Sequence, residues 1–297
     1  ELNFYEKNLL INYLLKKKEY GANFVYLYWA ITGFFFIYLY HKDEKIKFKS
    51  FFIKFFAKYY PLHFFTLILV FIIQYLNIKF FGKTEFGYLN DIYHFALNIF
   101  FASNWGIEKA QSFNAPIWFM SILVPVLIFF FLTFTFLKHL KIFFSIFIMV
   151  FFYYIVPFAV NTNQTGLNFS ACFFYFYLGI SIFYICEFNN KYKKKFAIFG
   201  FFGVVISIVS LNYNFSLFYG LIKSIPSTVL LFFSLILLCQ NYYFNSNKII
   251  NKFETLMDTS YSIYLLHFPL QLFFILIFNF LNLDKNLFSN FLFFLFY

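Results

Sequence analysis

Three short segments carry the residues whose types and spacing can do chemistry inside an otherwise apolar chain. The first is Thr259-Ser260-Tyr261-Ser262-Ile263-Tyr264-Leu265-Leu266-His267-Phe268-Pro269. On a helix, Ser260, Tyr264 and His267 fall at i, i+4 and i+7 and share one face, a stripe suited to a polar cavity between helices. The plainer alternative has Ser260 and Ser262 opening the helix and His267 donating to a neighbour's carbonyl. The second is Asn114-Ala115-Pro116-Ile117-Trp118-Phe119-Met120-Ser121. Pro116 suits a helix start, which puts Trp118 and Ser121 about one turn into a span, at the external interface. Trp118 there could equally belong to an aromatic belt. The third is Lys54-Phe55-Phe56-Ala57-Lys58-Tyr59-Tyr60-Pro61-Leu62-His63. Lys54 and Lys58, at i and i+4 just before a span, could hold the phosphates of a cytoplasmic donor or of lipid headgroups, or simply snorkel. There is no nucleophile elbow, P-loop, HExxH motif or paired intramembrane carboxylate.

The elements that must position these residues are membrane helices. The chain has 297 residues, 62% hydrophobic and 12% charged, with mean hydropathy +0.73. Soluble domains carry about 25% charged residues, so this charge cannot cover a globular surface. Apolar stretches of about 18 or more residues recur, long enough to cross a hydrocarbon core as helix. Lipid offers the backbone no partners, so spans are helices or closed barrels. Runs such as Ile128-Phe129-Phe130-Phe131-Leu132 lack the alternation of a barrel strand. The expectation is an all-α, polytopic transmembrane bundle. It has eight full spans, at 22–40, 59–78, 115–137, 142–160, 168–187, 196–212, 220–240 and 259–281. A shorter segment at 92–103 reads as re-entrant or interfacial, and one at 288–297 as a final helix cut short.

All 23 basic residues are lysine and the formal charge is +11. A basic chain can bind nucleic acid, but these lysines sit in loops between spans, where they set orientation and meet anionic lipid. Alternating sides gathers the larger set, at 42–58, 138–141, 191–195 and 248–252, on one face, which places residues 41–58 in the cytoplasm. Cys172, Cys186 and Cys239 form no C-x-x-C pair, so neither a redox site nor a metal site is indicated. If Cys172 and Cys186 share a helix, they stand about 21 Å apart along it.

These segments occur in an order that resembles membrane acyltransferase family 3, the polytopic bacterial O-acyltransferases that modify cell-envelope sugars. Ser260 to Pro269 resembles the family's C-terminal signature, and Asn114 to Trp118 followed by Ser121 its central segment. Lys58-Tyr59-Tyr60-Pro61-Leu62 resembles the opening of its third helix. Phe24 to Phe34, with Ile31-Thr32-Gly33-Phe34, resembles its second. The resemblance spans essentially the whole chain, read as one acyltransferase-like domain over 1–297 with its first helix missing, in the bacterial inner (plasma) membrane.

The resemblance implies ten helices, acyl-CoA as cytoplasmic donor near the basic cluster, and transfer of an acyl group, acetyl foremost, to a hydroxyl of an envelope or lipid-linked glycan. It implies no bound cofactor and no nucleic acid. The family's catalytic His, with an Arg about ten residues before it, lies upstream of Glu1. Its Glu two residues beyond the central Ser is Leu123 here, an acidic residue usual in its second helix falls at Tyr26, and its arginines near Pro61 are Lys54 and Lys58. Lysine lacks the planar fork that grips phosphate in two places. Without a general base, worth about 10²–10⁴ in rate, the chain as it stands is expected to be nearly inactive. The alternatives are a catalytically degenerate homologue and a transporter of lipid-linked sugars. No repeat relates the two halves, as many transporters would show.

Overall fold

The computed structural model describes residues 20–42, 48–136 apart from positions 85 and 87, 140–160, 164–188, a few positions between 198 and 205, and 247–283. Helices account for the regular structure: α1 (Tyr20–Lys42), α2 (Phe48–Phe81), α3 (Ile92–Ile99), a 3-10 turn (Ala115–Ile117), α4 (Trp118–Phe136), α5 (Lys141–Val160), α6 (Gln164–Phe188) and α7 (Asn247–Phe280). No strand occurs among the described residues.

Four described helices are long and apolar enough to cross a membrane, within Phe48–Phe81, Ala115–Phe134, Thr165–Tyr184 and Thr259–Phe280. Val25–Tyr40 and Lys141–Ile155 are shorter apolar helices. The chain is a multi-pass membrane protein. The spans expected at 196–212 and 220–240, and the segment at 288–297, lie almost wholly outside the described residues.

Ring contacts give the helix directions. Tyr26 meets Tyr175 and Phe34 meets Phe183, so α1 and α6 run parallel. Phe144 meets Tyr177 while Phe152 meets Phe173, so α5 runs against α6. Tyr59 meets Tyr261 and Phe80 meets Phe280, so α7 runs with α2. Along α5, Phe143, Phe147, Phe151 and Tyr154 are exposed, a face dressed for lipid. The α1–α6 contact is made by glycine: a Cβ on Gly33 would sit 2.0 Å from the Phe176 carbonyl oxygen, and one on Gly179 2.0 Å from that of Ala30. Small residues let helix backbones touch where no hydrophobic force drives them together.

Two apolar cores result. The larger joins α1, α4, α5 and α6, and reaches Phe55 on α2, Phe101, and Tyr261 and Leu265 on α7. The smaller joins Leu67, Val70 and Ile73 on α2 with Phe113 and with Phe268, Leu272 and Leu276 on α7. Each of three elements passes from one core to the other: α2 between Phe55 and Leu67, the non-helical segment between Phe113 and Ile117, and α7 between Leu265 and Phe268. Polar side chains gather at that seam.

Candidate functional site

The stretch from Leu89 to Ile117 contains the short apolar segment expected near 92–103 as re-entrant or interfacial, and its α3 has only eight residues. Only α3 within it is α-helical, because Asp91 caps it: its carboxylate accepts from the His94 backbone N–H at 2.8 Å and from the His94 ring Nδ1 at 2.7 Å. Backbone and ring bonds from His94, in that order, hold the Asp91 carboxyl below its ordinary value. A depressed value means that Asp91 stabilises the helix start above the unfolded-state pKa of about 4, and that this is lost as pH falls through the lower folded value. Asp91→Ala should therefore speed amide exchange around His94 at neutral pH, with the difference from the unmodified protein fading in strong acid. Hydrogen-exchange mass spectrometry checks this.

From α3 onward the segment packs against α2. Phe95 meets Phe71, and Phe101 stacks on His63 at 4.4 Å. Non-helical backbone at the depth of apolar helices survives only where protein buries it or a cavity receives it. Here it is keyed to carbonyls that proline has freed. Pro125, inside α4, cannot donate to the carbonyl four residues earlier; that carbonyl is Ser121, and the Trp105 indole donates to it at 2.8 Å. Pro269, inside α7, likewise frees the Leu265 carbonyl, which accepts from Asn114 Nδ2 at 3.3 Å. The same Asn114 amide donates to Thr66 Oγ1 at 2.9 Å. Asn98 donates to Ser112 Oγ and to the His94 carbonyl, and its own carbonyl receives His63 Nε2 at 2.8 Å. His63, Thr66, Asn98 and Asn114 are all fully buried.

The residues singled out from the sequence arrange themselves around this seam unequally. Trp118 opens α4, its ring edge-on to Trp29 at 5.7 Å, and its side chain lies near the Tyr264 hydroxyl. Trp118 thus packs on α1 through Trp29. Ser121 is fully buried, and its hydroxyl accepts from the Asn104 backbone N–H at 3.0 Å. Tyr264 turns inward, edge-on to Phe119 at 4.9 Å. His267 is half-buried, one turn on, and its Nδ1 contacts the Tyr264 carbonyl of its own helix.

Ser260 is exposed, so the stripe read from spacing divides between an outward serine and an inward tyrosine. The alternative in which Ser260 and Ser262 open the helix is corrected as well: α7 begins at Asn247, three turns earlier, because its polar N-terminal part continues the same helix. Lys54 and Lys58 lie exposed on the first three turns of α2. The Lys58 ammonium is 5.6 Å from the Tyr59 ring centroid, and the Tyr59 carbonyl accepts from Tyr261 at 3.0 Å. Trp118, Ser121, Tyr264 and His267 are therefore close neighbours of the seam, Lys58 borders it, and Lys54 and Ser260 do not reach it.

His63, Asn98 and Asn77 escaped the reading of spacing. Their signal was present, since each is a polar residue inside an apolar run, where such residues turn toward the bundle interior. Asn77 is fully buried on α2, and neither of its amide atoms has a partner. An unpartnered buried polar group costs about 1–3 kcal/mol, so Asn77→Leu should stabilise the purified protein by about that amount. A thermal melt in detergent would show it as a higher midpoint.

A family model described as an acyltransferase domain, that of acyltransferase family 3, matches residues 10–297. The chain belongs to this family of membrane acyltransferases. No curated protein and no solved structure gives a significant match.

Proposed function

We propose that this protein moves an acyl group, acetyl foremost, from acyl-CoA on the cytoplasmic side to a hydroxyl of a cell-envelope or lipid-linked glycan, in the bacterial inner membrane. The observation that carries the reading is the convergence of the family's central and C-terminal segments on one seam: Asn114 donates to the Leu265 carbonyl, and Phe119 meets Tyr264 edge-on at 4.9 Å. Residues 114–121 and 260–269 are remote in sequence, and both are held there by the segment from Leu89 to Ile117. In this reading, exposed Lys54 and Lys58 attract the donor's phosphates as point charges, and Trp118, Ser121, Tyr264 and His267 line the place where donor and acceptor meet. The whole of 1–297 acts as one unit.

The test is the content of alkali-labile acyl esters on envelope glycan from cells expressing the complete gene, against cells carrying empty vector. A rise in esters supports the reading, and equal content refutes it. His267→Ala in the complete gene should lower the ester content about tenfold, the worth of one good hydrogen bond. Unchanged content would remove His267 from the site.

A second reading, a degenerate homologue, is favoured by two positions. Tyr26, where the family commonly has an acidic residue, is buried and stacks on Tyr175 at 4.7 Å. Leu123, in place of the family's glutamate, is buried in the larger core. Neither offers a carboxylate, and unchanged glycan esters with normal membrane expression would select this reading.

A further inference from the structure

Among the described residues, buried side-chain polar atoms that lack a hydrogen-bond partner occur only on α2 and between Asn90 and Asn114. Three of the residues concerned form one network at the seam, and what they lack has a common chemical sense. His63 Nε2 faces the Asn98 carbonyl at 2.8 Å. A carbonyl only accepts, so Nε2 carries the hydrogen and Nδ1 of the neutral ring is a bare acceptor; it has no partner. The Asn98 amide nitrogen donates to both Ser112 and His94, while its Oδ1 is open. The Asn114 amide nitrogen donates to both Thr66 and Leu265, and its Oδ1 is open too. Every donor in the trio is used and every open atom is an acceptor.

The complement of such a set is a hydrogen-bond donor. Among the described residues no carboxylate is bonded to the trio, so a cation drawn out of water here would lack compensating charge. Neutral hydroxyls, one for each open acceptor, fit. We propose that His63, Asn98 and Asn114 bind neighbouring hydroxyls of a polyol acyl acceptor, one alcohol donating its hydrogen to His63 Nδ1 and others to the amide oxygens of Asn98 and Asn114. Calling the ligand an acyl acceptor rests on the proposed acyl transfer, whereas the preference for a neutral hydroxyl rests on the trio alone.

A second feature marks the segment as built for a ligand. Phe101 and Phe113 hold φ of 54° and 44°, a left-handed backbone that bulky residues rarely adopt, and strain of this kind collects at ligand clamps. The Phe101 ring stacks on His63 itself. All three network residues are fully buried, so a ligand enters only when the segment shifts.

The test uses the full-length protein in detergent with ¹⁵N-labelled histidine. The bare acceptor nitrogen of His63 is identified as the resonance that disappears in His63→Gln. Should that variant fail to fold, substitution of the other four histidines assigns it by elimination in the wild type. Methyl glucoside is the neutral hydroxyl probe, with ammonium chloride and sodium sulfate as charged controls.

The expected result is a progressive, saturable shift of this resonance with methyl glucoside and none with either salt. A shift with ammonium alone overturns the proposal, as does a resonance already hydrogen-bonded to water and unmoved by the sugar. Failure of the proposed acyl transfer is a separate outcome: glycan esters absent but the shift present condemns that reading and keeps the hydroxyl site. Esters present without the shift condemns the site alone. Where transfer occurs, His63→Gln should raise the acceptor KM about tenfold and leave the acyl-CoA KM unchanged.

Discussion

Gly179→Val should abolish the folded protein: detergent extracts are expected to lose the monodisperse peak in size-exclusion chromatography, and the thermal midpoint should fall out of range. Already the first added carbon, Cβ, would stand 2.0 Å from the Ala30 carbonyl oxygen and 2.9 Å from the Phe34 nitrogen. Both obstacles are backbone, so no rotamer change relieves them and α1 must move away from α6. Ordinary overpacking costs about 1–3 kcal/mol and occasionally more; a clash between backbones belongs above that range. α1 cannot retreat cheaply, since Trp29 and Ala30 beside the contact are fully buried in the larger core. Ile180→Val, at the adjoining buried position, serves as control and should cost only about 0.5–1.5 kcal/mol. Near-equal losses in the two variants would show that α1 and α6 are not in backbone contact.

The second large effect is expected at Asn114. Asn114→Leu keeps the approximate volume but removes the donor shared by Thr66 Oγ1 and the Leu265 carbonyl. The Leu265 carbonyl has no helical partner to fall back on, because Pro269 occupies the position that would donate. Thr66 still donates to the His63 carbonyl yet loses its incoming bond. One orphaned buried acceptor costs about 1–3 kcal/mol, and two put the loss at about 2–6 kcal/mol. Glycan esters should fall with it, because the freed segment no longer fixes Trp118 beside Tyr264. Asn114→Leu with unchanged melting and unchanged esters would mean that the segment is held by something other than this key.

Much of the architecture could be read from the chain because apolar length alone decides it. Leu62 to Ile78 and Trp118 to Phe136 are too greasy to be anything but membrane helix, and α2 and α4 contain them; Phe24 to Tyr40 falls in α1, whose apolar part is shorter. The polar ends of α2 and α7 were less legible, since Lys49, Lys54 and Lys58 read as a loop boundary by charge although the helix runs through them. The same held for Asn247 to Asp258.

Of the site, the sequence offered Trp118, Ser121, Tyr264 and His267 by spacing, and the structure places them close to the seam. It did not disclose what the prolines do. Nothing local to Pro125 or Pro269 says that Trp105 and Asn114 will supply the missing donors, because those partners lie 16 or more positions away. His63 and Asn98 were hidden for the same reason: their bond joins α2 to α3 across a connection that carries no periodicity.

The measurement that bears most directly on this account is a cross-link between α2 and the segment from Leu89 to Ile117. With the three native cysteines replaced, Thr66→Cys and Asn114→Cys are introduced together and native membranes are oxidised under mild conditions. The side chains at these positions meet through a 2.9 Å hydrogen bond, so a disulfide within one chain is predicted, whereas pairing Asn114→Cys with Ile72→Cys, exposed about 120° round α2 and about 9 Å along it, should give none. Efficient linking to Ile72→Cys, or none to Thr66→Cys, would show that the segment does not lie between α2 and α7 and would contradict the site built on it.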